Sequence, residues 1–322
     1  MNKQDEDKNP SELIPQSGKK IALVGNPNVG KSILFNYLTG IYVEVSNFPG
    51  TTVEIYHGNY KKYVVYDTPG IYSVSSFNDE EKVARDIIID ADIIINVVDA
   101  AHLERDLFLT QQLIDMQKKV VVALNMFDEL EKNNIALDVA KLSGTLGVPV
   151  IPTVAPEHKG FKELELNIDN ACQGNITTHF RRIFNHAKDL IPASELVLLL
   201  EEDEPAIQKY LNNFNFSGSR SEHRKFRHKR RHGKHRMHRH DQNPVSESDS
   251  KTEEQPNDSD KSVLFEYLGA GHQLKNILRH FSGRDNIYLR RRLYVNSIID
   301  NVLSTKSGKQ SLSKKIGNLI IN

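Results

Sequence analysis

Between the apolar run Ile21–Val24 and the amphipathic stretch Lys31–Thr39 lies Gly25-Asn26-Pro27-Asn28-Val29-Gly30-Lys31-Ser32, a G-x-x-x-x-G-K-S loop. A loop of this spacing, following a strand and opening a helix, has a physical purpose. Backbone N–H groups of the loop and of the helix N-terminus can surround nucleotide phosphates. Lys31 sets a positive point charge beside the β- and γ-phosphates, and the Ser32 hydroxyl is a Mg²⁺ ligand. The loop therefore commits this part of the chain to a strand–loop–helix unit.

The surrounding pattern extends that unit into a domain. From Lys19 to about Leu166, short β-branched runs recur at Ile21–Val24, Tyr63–Tyr66, Ile93–Val98, Val120–Leu124 and Val148–Ile151. Nearly continuous apolar runs of this length predict parallel strands buried on both faces. Helical stretches alternate with them at Lys31–Thr39, Glu80–Ile89, Glu104–Met116 and Leu137–Leu146. The expected fold is an α/β P-loop NTPase, a small GTPase-like doubly wound sheet over 19–170, with ligands at the carboxyl ends of its strands. Residues 176–214 and 262–322 carry helical periodicity with almost no strand signal, which predicts an all-α helical domain in two parts, 171–216 and 261–322. Residues 1–18 read as a disordered tail and 217–260 as a disordered insertion.

Two further motifs select the nucleotide. Asp67-Thr68-Pro69-Gly70 follows the strand Tyr63–Tyr66, where a carboxylate can hold Mg²⁺ through water and the glycine N–H can sense a γ-phosphate. Asn125-Met126-Phe127-Asp128 ends the strand Val120–Leu124. A carboxylate there accepts hydrogen bonds from guanine N1–H and the 2-amino group, which adenine cannot donate in that arrangement. In Asn47-Phe48-Pro49-Gly50-Thr51-Thr52-Val53-Glu54, a threonine can close the Mg²⁺ shell when a γ-phosphate is present. Thr51 and Thr52 compete for that role, and Thr52 is preferred.

Composition narrows the alternatives. Lys+Arg and Asp+Glu both number 42, so a globally basic nucleic-acid binder is not indicated. A single cysteine, Cys172, excludes an intrachain disulfide framework and a Cys-based zinc site, and it reads as structural. His57 reads as a surface position in a strand-like run. The start of the chain lacks a signal-peptide pattern, and runs such as Leu196–Leu200 fall far short of the roughly 18 apolar residues of a membrane span. The expected location is cytoplasmic.

The motifs resemble the cytosolic GTPase region of the ferrous iron transport protein B family. The similarity runs through GNPNVGKS, LFNYLTG, SNFPGTTVE, DTPGIYS, DEEKVARD, ALNMFDELEKNNI and LGVPVIPTV. It continues more weakly through SELVLLLEEDEPAIQKYL, RRRLYVNSIIDNVL and LSKKIGNLI. Era-like GTPases usually read TTRD and NKxD where this chain has Thr52-Val53-Glu54 and Asn125-Met126. The resemblance implies slow, K⁺-stimulated hydrolysis of GTP to GDP and phosphate. Asn28 would be a K⁺ ligand, with Asn47 and neighbouring carbonyls completing the shell, in the place of an arginine finger. A loop-stabilising amide is the other role open to Asn28. Ile71 stands where Ras-like proteins carry a glutamine.

By the same resemblance, Met126 is among the nucleotide-binding residues and the loop Thr153-Val154-Ala155-Pro156 supplies a backbone N–H to the guanine oxygen, although Ala155 replaces a frequent Ser and Pro156 has no N–H. The helical domain would couple nucleotide state to an Fe(II)-permease membrane domain that this chain lacks, at the cytoplasmic face of the cell membrane. A small iron-transport accessory protein is a further implied partner. Two other readings stay open: a free-standing GTPase binding RNA or the ribosome through the basic insertion, and a non-catalytic nucleotide-dependent module.

The first part of that insertion holds six histidines (His223, His228, His232, His235, His238 and His240) among the ten Arg/Lys that lie from Arg220 to Arg239. It reads first as a solvated linker, then as a contact for anionic membrane surfaces, and last as a metal site, since dense positive charge repels a divalent ion. Arg290-Arg291-Arg292 could face anionic lipid or form a solvated helix face.

Overall fold

The structure is a computed structural model, and it describes residues 18–40, 44–48, 51–75, 78–208 and 284–305. The expected tail up to residue 17, the 217–260 insertion, and residues 261–283 and 306–322 of the second helical part lie outside the described residues. The chain divides into one unit of Met1–Asp203 with Phe281–Asn322 and another of Glu204–His280. All elements below belong to the first.

The apolar runs form the strands their composition predicts. β1 (Lys19–Val24) lies between β4 (Tyr63–Asp67) and β5 (Ile93–Asp99), and β6 (Val120–Asn125) and β8 (Val150–Pro152) extend the sheet beyond β5, all in parallel. Every residue of β5 and β6 is buried. Three helices make the parallel crossovers: α2 (Asp79–Asp90), α3 (Leu103–Asp115) and α5 (Val139–Leu146). On one face of the sheet, Ile21, Leu23, Val65, Ile95 and Val121 pack with Leu34, Phe35 and Leu38 of α1 (Lys31–Thr39) and with Phe161 and Leu164 of α6 (Phe161–Asn167). A side-chain period of two sends their neighbours to the other face, over α2 and α3.

The sheet is mixed rather than all parallel. β2 (Glu44–Asn47) and β3 (Glu54–Tyr60) add two antiparallel strands, in the order β2-β3-β4-β1-β5-β6-β8. β3 reaches β4 through a two-residue turn, Lys61–Lys62, and so short a link permits only an antiparallel partner. EIYHGNY lacks a continuous apolar run, because β3 is exposed at every second residue at its start. His57, expected at the surface, is buried in this strand, with Glu44 Oε2 3.8 Å from its Nε2. Helix α5 begins two residues later than expected. Asp138 caps it by accepting from Lys141 N at 2.9 Å, and Ile135–Leu137 becomes strand β7.

Helices α7 (Thr178–Ala187), α8 (Ala193–Leu200) and α9 (Arg284–Val302) follow the helical periodicity read after Leu166. In α9 the buried positions Ile287, Arg291, Val295, Ile298 and Val302 form one stripe, which packs on α3 and α5. Its end continues as β9 (Leu303–Thr305), antiparallel to β7, a short strand the sequence did not announce. No helix among the described residues is long and apolar enough to cross a membrane.

The arginine run on α9 is not a uniform basic face. Arg291 is 2% exposed and donates from Nε to Asp115 Oδ2 at 3.2 Å and from Nη1 to Glu201 Oε1 at 2.6 Å. Arg292 lies over the Phe108 ring, and Arg290 is exposed. Glu201 Oε2 also accepts from Ser75 Oγ and Gln112 Nε2. Removing one partner of a buried ion pair leaves an uncompensated charge. Arg291→Ala is therefore expected to lower unfolding free energy by about 3–5 kcal/mol, and Arg290→Ala by less than about 0.5 kcal/mol, in urea denaturation.

Candidate nucleotide-binding site

The phosphate loop leaves β1 at Gly25 and enters α1 at Gly30, whose φ of 97° favours glycine. A Cβ at Gly30 would stand 2.5 Å from Asn125 Nδ2, and one at Gly70 would stand 2.8 Å from Pro27 Cα. The two glycine motifs thus let three loops close on one another. Thr68 N and Oγ1 donate to Leu23 O at 3.3 and 2.8 Å, and Ile71 N donates to Gly25 O at 3.2 Å. These bonds hold Asp67-Thr68-Pro69-Gly70 against the phosphate loop.

Lys31 is buried and folded over the loop, its Nζ donating to Gly25 O at 3.1 Å and Asn26 O at 3.0 Å. Burial holds its ammonium below the usual lysine range, against the pull of Asp67 and Asp106. Ser32 Oγ donates to Asp67 Oδ2 at 2.8 Å, while Asp67 Oδ1 is buried with no hydrogen-bond partner. Burial pushes the Asp67 carboxyl up, opposed by the Ser32 hydroxyl and Lys31. Val29 is buried beneath the loop, whereas Asn28 is exposed with φ of 63° and bonds to nothing among the described residues.

The threonines differ in their surroundings. Thr51 closes a turn, with Oγ1 donating to Phe48 O at 3.1 Å and accepting from Val53 N at 3.2 Å. Thr52 is exposed, and nothing among the described residues bonds to it. Asn47 lies at the end of β2, opposite Glu54. Gly50 lies outside the described residues.

At the end of β6, Asn125 acts as a clasp. Its Nδ2 donates to Val29 O at 2.8 Å, and its Oδ1 accepts from Ala155 N at 2.9 Å and Thr153 Oγ1 at 3.4 Å. Met126 takes a left-handed φ of 57° and starts α4 (Phe127–Lys132), on which Asp128 is paired with Lys132 Nζ at 2.7 Å. Lys132 holds the Asp128 carboxyl below its usual range. Val154 N donates to Lys159 O at 3.1 Å, so both this N–H and that of Ala155 are engaged within the protein.

Sequence reading missed the support behind these loops. Asn26 Nδ2 donates to Asp106 Oδ1 at 2.6 Å, and Thr110 Oγ1 donates to Asn96 Oδ1 at 2.6 Å. Asn96 Nδ2 in turn donates to Val24 O at 3.1 Å. Gln112 Oε1 accepts from Val74 N at 2.8 Å. The signal was present as polar residues at core positions of α3, in LERDLFLTQQLID. Cys172 is exposed, and its backbone bridges to Val120. Ile71 is 1% exposed and apolar, so it cannot orient a water.

Asn125 and Asp128 thus differ in kind. Asn125→Ala, which strips a buried amide of its bonds, is expected to cost about 2 kcal/mol of stability in urea denaturation. Asp128→Ala, which loses only an exposed pair, should cost less than about 1 kcal/mol.

Residues 19–168 match the family model described as ferrous iron transport protein B. The chain is 44% identical over 201 residues to the Fe(2+) transporter FeoB of Shigella flexneri, covering 59% of this chain and 25% of that protein. It is 44% identical over 153 residues to a Fe(2+) transport protein A/Fe(2+) transporter FeoB fusion protein of Porphyromonas gingivalis, covering 45% of this chain and 18% of that one. It therefore spans a quarter or less of these relatives. Among solved structures, the cytosolic domain of L. pneumophila FeoB is similar with a TM-score of 0.58 and 27% identity, over 89% of this chain and 100% of that one. NFeoB from S. thermophilus bound to GDP.AlF4⁻ and K⁺ is similar with a TM-score of 0.57 and 27% identity, over 87% and 98%. With the sheet order and the phosphate loop already in place, residues 19–168 are similar in sequence and fold to the G domain of the ferrous iron transport protein B family.

Proposed function

We propose that this domain binds GTP, hydrolyses it to GDP and phosphate, and through its nucleotide state regulates Fe(II) passage through a membrane permease domain like that of its longer relatives. The observation that carries the reading is the junction of Ser32, Asp67 and Lys31. A hydroxyl and a carboxylate meet there, and one carboxylate oxygen is buried without a partner beside a buried ammonium. Such an all-oxygen donor set fits Mg²⁺. Ser32, Thr52 and, through water, Asp67 would hold the ion, which when bound neutralises charge on the phosphate oxygens.

The protein's own residues do the rest. Lys31 exchanges its two loop carbonyls for phosphate oxygens, and the N–H groups at the start of α1 face the same anion. Asp128 trades Lys132 for guanine N1–H and the 2-amino group, with Met126 and the Val154–Ala155 loop bordering the base. Gly70 N–H reports the γ-phosphate, and Thr52 moves in with it. Asn28, with Asn47, would hold K⁺ against the reacting phosphates; that a similar NFeoB binds K⁺ together with GDP.AlF4⁻ supports K⁺ as the cation.

Phosphate release from GTP should run at least about tenfold faster in K⁺ than in Na⁺, and Asn28→Ala should abolish that difference. Absence of turnover in either salt would remove hydrolysis from the reading. Asp128→Ala should weaken GDP binding by about a hundredfold or more, since two hydrogen bonds to a charged acceptor are lost. Equal wild-type affinity for GDP and ADP in fluorescence competition would rule out guanine selectivity. Iron uptake by cells in which this domain, with and without Lys31→Ala, replaces the corresponding part of a longer relative tests the coupling to transport. Uptake unchanged by Lys31→Ala would refute it.

A further inference from the structure

Asp106 is a carboxylate with 2% exposure on a helix otherwise packed into the core, and nothing in the nucleotide motifs calls for it. Its Oδ1 accepts from Asn26 Nδ2 at 2.6 Å and from Arg105 Nε at 2.7 Å, and its Oδ2 accepts from Asp99 N at 2.9 Å. Burial pushes its carboxyl up, opposed by Arg105 and the Asp99 N–H. A neutral amide could not replace it. One carboxamide oxygen could serve Asn26 and Arg105, but its NH₂ would then face the Asp99 N–H, donor against donor.

Asn26 is the point of leverage. It is 1% exposed, and among the described residues it makes the sole side-chain hydrogen bond of loop residues 25–30 other than those of their backbone. Its Oδ1 is buried with no partner, so the bond to Asp106 is what fixes the side chain. Its carbonyl is one of the two that hold Lys31 Nζ. One turn further along α3, Thr110 reaches Val24 O through Asn96, so the helix grips both the last strand residue and the loop that follows it.

We infer that Asp106 is a positioning residue of the phosphate loop, which through Asn26 holds the loop in the form that receives the β-phosphate. The inference rests on the GTP-binding reading above and adds to it the residue that preforms its anion site. A charge-assisted bond in a buried setting is strong enough for its loss to be read in affinity. Asp106 acts through Asn26, so it should govern the contribution of the phosphates and leave that of the base alone.

The experiment is competition binding of GDP and GMP against a fluorescent GDP analogue, for wild type, Asp106→Ala, Asn26→Ala and the double variant, alongside thermal unfolding. Each single variant should reduce the preference for GDP over GMP by about tenfold, and the double variant by no more than either alone. Asn26→Ala keeps the Arg105 and Asp99 contacts of Asp106, so it carries the test if Asp106→Ala fails to fold. Lower melting with an unchanged GDP preference would overturn the inference, because Asp106 would then be a scaffold residue only. Additive losses in the double variant would overturn it as well. A wild type with no preference for GDP over GMP would overturn the GTP-binding reading itself, and the inference with it, by a different result.

Discussion

A buried helix with several polar side chains has to find their partners within the protein, and α3 does so in four directions, leaving only Gln111 Oε1 of its buried side-chain polar atoms unbonded among the described residues. From Asp106 to Asp115 every residue is buried, and water is no alternative partner. Asp106 holds the phosphate loop, Thr110 holds the end of β1 through Asn96, Gln112 holds Val74 beyond Gly70, and Asp115 holds Arg291 of α9. Each contact is worth little net on its own, but leaving one unmade is costly in so dry a place. The helix therefore has a single acceptable seat, and the loops and α9 are placed with reference to it.

The same economy governs the nucleotide site. Lys31 is already bonded to loop carbonyls, Ser32 to Asp67, Ala155 N–H to Asn125, and Asp128 to Lys132. Binding would exchange partners rather than create bonds from nothing, which keeps the reorganisation small. Asp67 Oδ1 stands outside that pattern, a buried oxygen with no hydrogen-bond partner among the described residues. Ser75 and Val74, close after the Asp67-Thr68-Pro69-Gly70 segment, bond to Glu201 and Gln112. Glu201 in turn pairs with Arg291 of α9. The Asp67-Thr68-Pro69-Gly70 segment is thereby continuous with helices outside the sheet.

The sequence was most legible where burial is symmetrical. Ile93–Val98 and Val120–Leu124 are covered on both faces, so their composition alone marks them as parallel strands. β3 was harder to see, since Gly58 and alternating exposure break its apolar run, and His57 looks polar until the strand buries it. Helix α5 was misplaced at its start because Leu137 continues the apolar pattern, whereas the Asp138 side chain decides the first turn. For the arginine run, three identical residues gave no sign that the middle one would face Glu201 and Asp115.

What the sequence settled by itself is the placement of the loop residues: glycines where a Cβ would collide, a lysine and a serine at the start of α1, and a carboxylate just after β6. These depend on local spacing, and local spacing survives in one dimension. What only the tertiary structure decided is which groups are free and which are engaged. Asn125 is a clasp, Thr51 closes its own turn while Thr52 stays open, and Asp106 reaches a loop 80 residues away. The last of these follows from the burial of α3 beside β5, because a polar group removed from water takes whatever partner the fold brings within reach.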